Sequence, residues 1–94
     1  MPVTLRFLGA LRHASGRDEM NLDCERGSSV LDVIKAASKE KVSLLRTILD
    51  EQLEPPKPLA LILVNGREIS ALEGLKTKVE DGDEVVFVPV VHGG

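Results

Sequence analysis

The stretch "DGDEVVFVPVVHGG", Asp81 to Gly94, decides how the rest of the chain is read. Asp81-Gly82 is a turn signal, and the valine-rich run after it suits a pleated strand. Within that run Val85 and Phe87 point one way while Val86 and Val88 point the other, so both faces of the strand are apolar. Pro89 cannot donate to a sheet ladder, so pairing is expected to end near it and the residues beyond to project as an extended arm. The sequence closes on Gly93-Gly94.

Outward from this strand, "VTLRFL" (Val3–Leu8) alternates, with Val3, Leu5 and Phe7 on one side and Thr4 and Arg6 on the other. "GALRHASGRDE" (Gly9–Glu19) reads as a connecting loop because of Gly9, Ser15-Gly16 and its polar residues. "EMNLDC" alternates through Met20, Leu22 and Cys24 and reads as a second strand, paired with the first as a hairpin. In "GSSVLDVIKAASKE" the period changes. Ser28 or Ser29 is the N-cap, Asp32 follows Ser29 by three residues, and Val30, Leu31, Ile34 and Ala37 form one apolar stripe. "VSLLRTILDEQL" repeats the habit, with Val42, Leu45, Ile48 and Leu49 on one side, until Pro55-Pro56 stops it. "LALILVNGREIS" (Leu59–Ser70) is a strand running into Asn65-Gly66, a type I′ turn signal, with Arg67–Ser70 returning as a short partner. Gly74 and Asp81-Gly82 mark turns in "ALEGLKTKVEDGDE", with Leu75 and Val79 anchored inward.

The order is β-β-α-(α)-β-β-β. It suits an α+β chain of the ubiquitin-like β-grasp kind: a mixed sheet of about five strands on one main helix, with a second short helix. In that architecture the first and last strands lie side by side at the sheet centre, and both are rich in Val, Leu and Phe here. A ferredoxin-like order would need a helix where "SALEGLKTKVEDGDE" has none. The expected organisation is one domain over residues 1–89 and a flexible tail over 90–94. One helix covers only one face of a sheet. Val86 and Val88, with either Leu61 and Leu63 or Ile62 and Val64, therefore leave an apolar face open as a docking patch, unless the second helix folds back over it.

Composition sets the remaining bounds. The chain has 94 residues, 43% apolar and 29% charged, with a net charge of −3, as suits a single folded domain. There is no basic stripe, and the aromatics are Phe7 and Phe87 alone, which argues against a nucleic-acid partner. Cys24 stands alone, so neither an intramolecular disulfide nor a cysteine-based metal cluster is available. No basic-then-apolar leader and no membrane-spanning apolar run is present, and a cytoplasmic, membrane-free protein is expected.

Few residues suggest catalysis. His13 and His92 have no second ligand near them at metal spacing, so no metal site is expected and His13 reads as a solvated side chain. Cys24 lies on the inward face of its strand and reads as a buried, inert thiol. "GRDE" and "EDGDE" read as acidic turns, and no phosphate-cradling glycine loop exists. The tail is different. Glycine lacks Cβ, so a Gly-Gly end can enter a narrow channel, and the Gly94 carboxylate oxygen has unhindered access to the α-phosphorus of ATP. The acyl-adenylate so formed accepts sulfur or an amine. Val90 and Val91 offer apolar anchors to a partner's groove.

The C-terminal stretch resembles that of the MoaD/ThiS-like sulfur-carrier family: a Gly-Asp-Glu-Val turn, a hydrophobic strand, a proline and a Gly-Gly tail. "VTLRFLGALRHASG", "SSVLDVI" and "LVNGREI" are similar to the same family's first strand and loop, helix start and middle hairpin. The resemblance implies a β-grasp carrier that is not itself an enzyme and binds no cofactor. Its ATP is used by an E1-like (MoeB/ThiF-type) adenylyltransferase. It implies that Gly94 is adenylated and thiocarboxylated, that Gly93 gives channel clearance, and that Val86, Val88 and Pro89 dock partners. The leading expectation is the small subunit of molybdopterin synthase, with that enzyme's large subunit or another sulfur-acceptor enzyme as partner. The alternatives are a small archaeal modifier-type protein joined to target lysines through Gly94, a carrier for tRNA thiolation, and a β-grasp interaction domain that does not conjugate. Val90 stands where molybdopterin synthase small subunits commonly have a second proline, Val88 where they often have an aromatic, and "HGG" looks more like the ubiquitin-related modifier ending.

Overall fold

Alternating strands at both ends of the chain meet in the middle of one sheet. A computed structural model describes residues 1–90. Strands β1 (Pro2–Phe7) and β2 (Glu19–Asp23) form an antiparallel hairpin, with Val3 opposite Leu22 and Leu5 opposite Met20. Strand β7 (Glu84–Pro89) then lies parallel to β1, Leu5 beside Val85 and Phe7 beside Phe87. On its other side β7 pairs antiparallel with β5 (Ala60–Val64), which turns through Asn65-Gly66 into the two-residue β6 (Arg67–Glu68). The order β2-β1-β7-β5-β6 makes this a five-stranded mixed sheet with β7 at its centre. This is the β-grasp arrangement expected for the chain.

The inward face carries Val3, Leu5, Phe7, Met20, Ile62, Val85 and Phe87, all essentially buried. Phe7 and Phe87 stack with centroids 5.4 Å apart and ring planes 11° from parallel. Burying each such side chain contributes about 1.5–3 kcal/mol relative to exposure. Helix α2 (Val30–Ser38) covers this face. It starts on a capping box: Ser29 Oγ accepts the Asp32 amide at 3.1 Å, and the Asp32 carboxylate accepts the Ser29 amide at 2.9 Å. Val33 is buried in its stripe along with Val30, Ile34 and Ala37, whereas Leu31 is only half-buried.

Three local expectations need correcting. The stretch after β1 contains helix α1 (Leu11–Ser15), which buries Leu11 and ends where the Gly16 amide donates to the Arg12 carbonyl at 2.9 Å. Ser15-Gly16, a loop signal in the sequence, is this helix's C-terminal stop. Helix α3 (Val42–Ile48) turns Leu44 and Ile48 inward, while Val42 is 69% exposed. It also ends sooner than Pro55: Leu49 is extended and opens a small hairpin, β3 (Leu49–Asp50) with β4 (Lys57–Pro58). The return after Asn65-Gly66 stops at Glu68, because Ile69 enters a 3-10 turn and is buried there. Asn65 and Gly66 have φ of 49° and 83°, as the type I′ turn demands.

Candidate functional site: an open sheet face and the end of its central strand

The outer face of the sheet is set by the same registers. Main-chain pairing places Leu63 against Val86 and Leu61 against Val88, and all four point away from α2. Leu8 continues the outward parity of Thr4 and Arg6, and its amide donates to the Phe87 carbonyl at 3.0 Å, beside Val88. Leu8 is 44% exposed and Leu61 41%, and Leu63, Val86 and Val88 are half-buried by one another. Helix α3 does not cover them, since Leu44 and Ile48 join the core cluster on the opposite face with Leu5 and Phe87. The result is a contiguous apolar patch on the outer face, the sort of area that marks a protein contact.

A charged and polar rim borders the patch. Arg6 Nε donates to Glu84 Oε2 at 2.7 Å, and Thr4 Oγ1 donates to Asn21 Oδ1 at 3.0 Å. The hydrogen bond and charge of Glu84 push the Arg6 guanidinium above its ordinary value.

The acidic turn before β7 is structural. Asp83 Oδ2 accepts the Glu80 amide at 2.7 Å, Asp83 Oδ1 accepts from Asn65 Nδ2 at 2.8 Å, and Asn65 Oδ1 accepts the Glu84 amide at 2.9 Å. The Gly82 amide donates to the Pro2 carbonyl at 2.8 Å. These bonds join the turn to both neighbours of β7 and fix where that strand begins.

At its other end, β7 pairs Pro89 with Ala60, the last partner of the ladder. Pro89 also lies against Gly9, whose φ is +55°. A Cβ on Gly9 would stand 2.9 Å from Pro89 Cγ and 3.6 Å from Cδ. Val90 comes next at 47% exposure and borders, with Leu61, a groove of about 510 Å³ along the edge of β5. The expected tail, residues 90–94, falls outside the described residues but for Val90. Val91, Gly93 and Gly94 lie outside the described residues, as does His92.

The remaining candidates have local explanations. Burial pushes the Cys24 thiol above its ordinary value and so disfavours the reactive thiolate. His13 is exposed on α1. Among the described residues no three His, Cys, Asp or Glu side chains gather as a metal-ligand set, and no helix is long and apolar enough to cross a membrane. Leu8 is the outer-face residue that pattern reading misses. Its signal is present, since it extends the outward parity of Thr4 and Arg6, but Gly9 beside it marks it only as the end of a strand.

The model of the ThiS family matches residues 5–94 of the chain. The chain belongs to the ThiS family. Its relatives include Small archaeal modifier protein 3 of Haloferax volcanii, 31% identical over 94 residues that span the whole of both chains. A relative in Archaeoglobus fulgidus, named as a candidate sulfur carrier protein, is 37% identical over 76 residues, or 73% of this chain and 86% of that one. Among solved structures, small archaeal modifier protein 1 of Methanosarcina acetivorans superposes with a TM-score of 0.81 at 34% identity, covering 99% of this chain and 96% of its own. The chain is therefore a small ubiquitin-like carrier or modifier protein, not an enzyme.

Proposed function

We propose that this ThiS-family protein is a ubiquitin-like modifier of the small archaeal type, activated at the Gly94 carboxylate by an E1-like adenylyltransferase and docked through its open sheet face. The observation that carries the reading is geometric. The central strand of the sheet bears the exposed patch on one side and loses its last pairing partner at Pro89, five positions before Gly94. A partner seated on Val86, Val88, Leu61 and Leu8 thereby lies beside the point where the ladder ends. Pro89 and Val90 stand at the edge of that patch.

The chemistry needs no catalytic group from this chain. A Gly94 carboxylate oxygen attacks the α-phosphorus of ATP bound by the activating enzyme, and the α–β phosphoanhydride bond breaks with loss of pyrophosphate. A target lysine amine, directly or after a thiol of the activating machinery, then attacks the acyl carbon. AMP or that thiol leaves, the amine loses a proton, and an isopeptide bond remains. A bare Gly93 keeps the approach to the acyl carbon free of side chains.

Sulfur carriage is the second reading, favoured by the name of the Archaeoglobus relative. The same adenylate is then attacked at its acyl carbon by sulfide-level sulfur from a donor, AMP leaves, and a thiocarboxylate remains. Molybdopterin synthase, the leading expectation from sequence, has less support than the modifier reading: Val90 stands in place of the second proline, and the Haloferax relative matched over the whole of both chains is named as a modifier. Incubation with the E1-like enzyme, ATP and a sulfur donor separates the readings by intact mass. Adducts leaving a Gly-Gly remnant on lysine support the modifier, and an oxygen-to-sulfur exchange supports the carrier. Activity that survives deletion of Gly93-Gly94 defeats both.

A further inference from the structure

Gly9 has no role in the core or the patch, yet its bare Cα lies against the Pro89 ring at the end of β7. The Cβ position of Gly9 lies 2.9 Å from Pro89 Cγ, well inside the separation of about 3.5–4.0 Å at which two carbons rest. We propose that Gly9 is a positioning residue for the C-terminal segment: its bare Cα makes the seat for the Pro89 ring, and that seat sets the direction in which the chain leaves the sheet. This rests on the reading of Gly94 as the activated end.

The surroundings decide which partner of the contact would yield. Gly9 is held on its own side by three bonds. Its carbonyl accepts the Arg12 amide at 3.1 Å and Arg12 Nε at 3.5 Å, and the next carbonyl back, that of Leu8, accepts the Leu11 amide at 3.1 Å. The Leu8 amide is tied to Phe87 at 3.0 Å. Pro89, by contrast, is past the β1 pairing and keeps only its register with Ala60. A proline ring cannot swing aside as a flexible side chain does. A methyl group at position 9 therefore displaces Pro89 and Val90 rather than the α1 turn. Misplacement of a reacting group by about 1 Å can cost a rate factor of about a hundred. Val86, Val88, Leu61 and Leu63 are held by the ladder before Pro89 and do not share that shift.

The test is a double-substitution cycle on adenylation of the full chain by the E1-like enzyme, monitored by ATP–pyrophosphate exchange. Gly9→Ala is expected to lower kcat at least tenfold and to leave the KM for the carrier within about twofold. In a Pro89→Ala background, where the ring is gone, the same Gly9→Ala change is expected to cost less than twofold. The positive φ at position 9 lowers the melting temperature in both backgrounds alike, so recovery of kcat without recovery of melting temperature reports the seat and not stability. If Gly9→Ala does not fold, Gly9→Asn supplies the same Cβ with a residue that tolerates positive φ. Unchanged kcat, an equal loss in both backgrounds, or a loss confined to KM overturns the proposal. If the wild-type chain is never adenylated, the functional reading fails instead. The seat is then judged by NMR: Gly9→Ala must shift the Pro89 ring protons and the Val90 amide, and shifts confined to residues 8–12 overturn it.

Discussion

Val85 and Phe87 on one side of β7, and Val86 and Val88 on the other, are neighbours of similar chemistry with opposite fates. The first pair is fully buried against α2, and the second faces outward beside Leu61, Leu63 and Leu8. Hydrophobicity on the inner face is used in folding, whereas on the outer face it remains available to a partner. Substitution on the two sides should therefore separate stability from association. Phe87→Ala removes one half of the stacked Phe7–Phe87 pair and is expected to cost about 3–5 kcal/mol in chemical denaturation. Val88→Asp, at a half-buried position, is expected to cost less stability than Phe87→Ala, about 1–2 kcal/mol, and to weaken binding to the activating enzyme at least tenfold in calorimetric titration. A Val88→Asp chain that unfolds like Phe87→Ala would show that the two faces are not separate in function.

The same contrast recurs in α3, where Leu44 is buried and Val42, two residues before it, is exposed. Leu44→Ala is expected to destabilise by about 2–5 kcal/mol, and Val42→Ala by less than about 0.5 kcal/mol. The reverse order in thermal or urea melts would restore the helix face that periodicity suggests, with Val42 inward.

The mismatch at α3 shows what pattern can and cannot supply. Strand alternation, the Ser29–Asp32 capping box and the Asn65-Gly66 turn are each encoded within a few residues, so the sequence alone makes them legible. Helix α3 spans only seven residues, too few for two candidate stripes to be told apart by periodicity. Helix α1 has Leu11 as its only fully buried apolar residue, too little to outweigh the turn residues beside it. The candidate site is partly legible: Val86, Val88 and Pro89 emerge from strand parity and proline chemistry. Leu8 joins them only because β1 lies parallel to β7, and Gly9 meets Pro89 through the same long-range pairing, which no local window contains.

A smaller effect belongs to the helix that covers the inner face. Ser29→Ala removes half of the capping box and is expected to cost about 1 kcal/mol in urea denaturation. The amide of Ser29, before its hydroxyl, holds the Asp32 carboxyl below its ordinary value. Because the folded value is the lower one, the associated stability is present above the unfolded carboxyl range near pH 4 and is lost as pH falls through the folded value. Asp32→Asn should flatten that acid limb of the stability–pH curve and leave the outer face unaffected. An unchanged acid limb would mean that the box contributes nothing measurable.

The claim that one face folds the chain and the other receives its partner is tested most directly by NMR. The isotopically labelled protein is titrated with the E1-like enzyme, and amide signals are tracked residue by residue. The account predicts that Leu8, Leu61, Leu63, Val86, Val88 and Val90 shift or broaden first, while Lys35 and Lys39 at the helical layer stay in place. Perturbation centred on α2 and α3, with the signals of Val86 and Val88 unmoved, would contradict it.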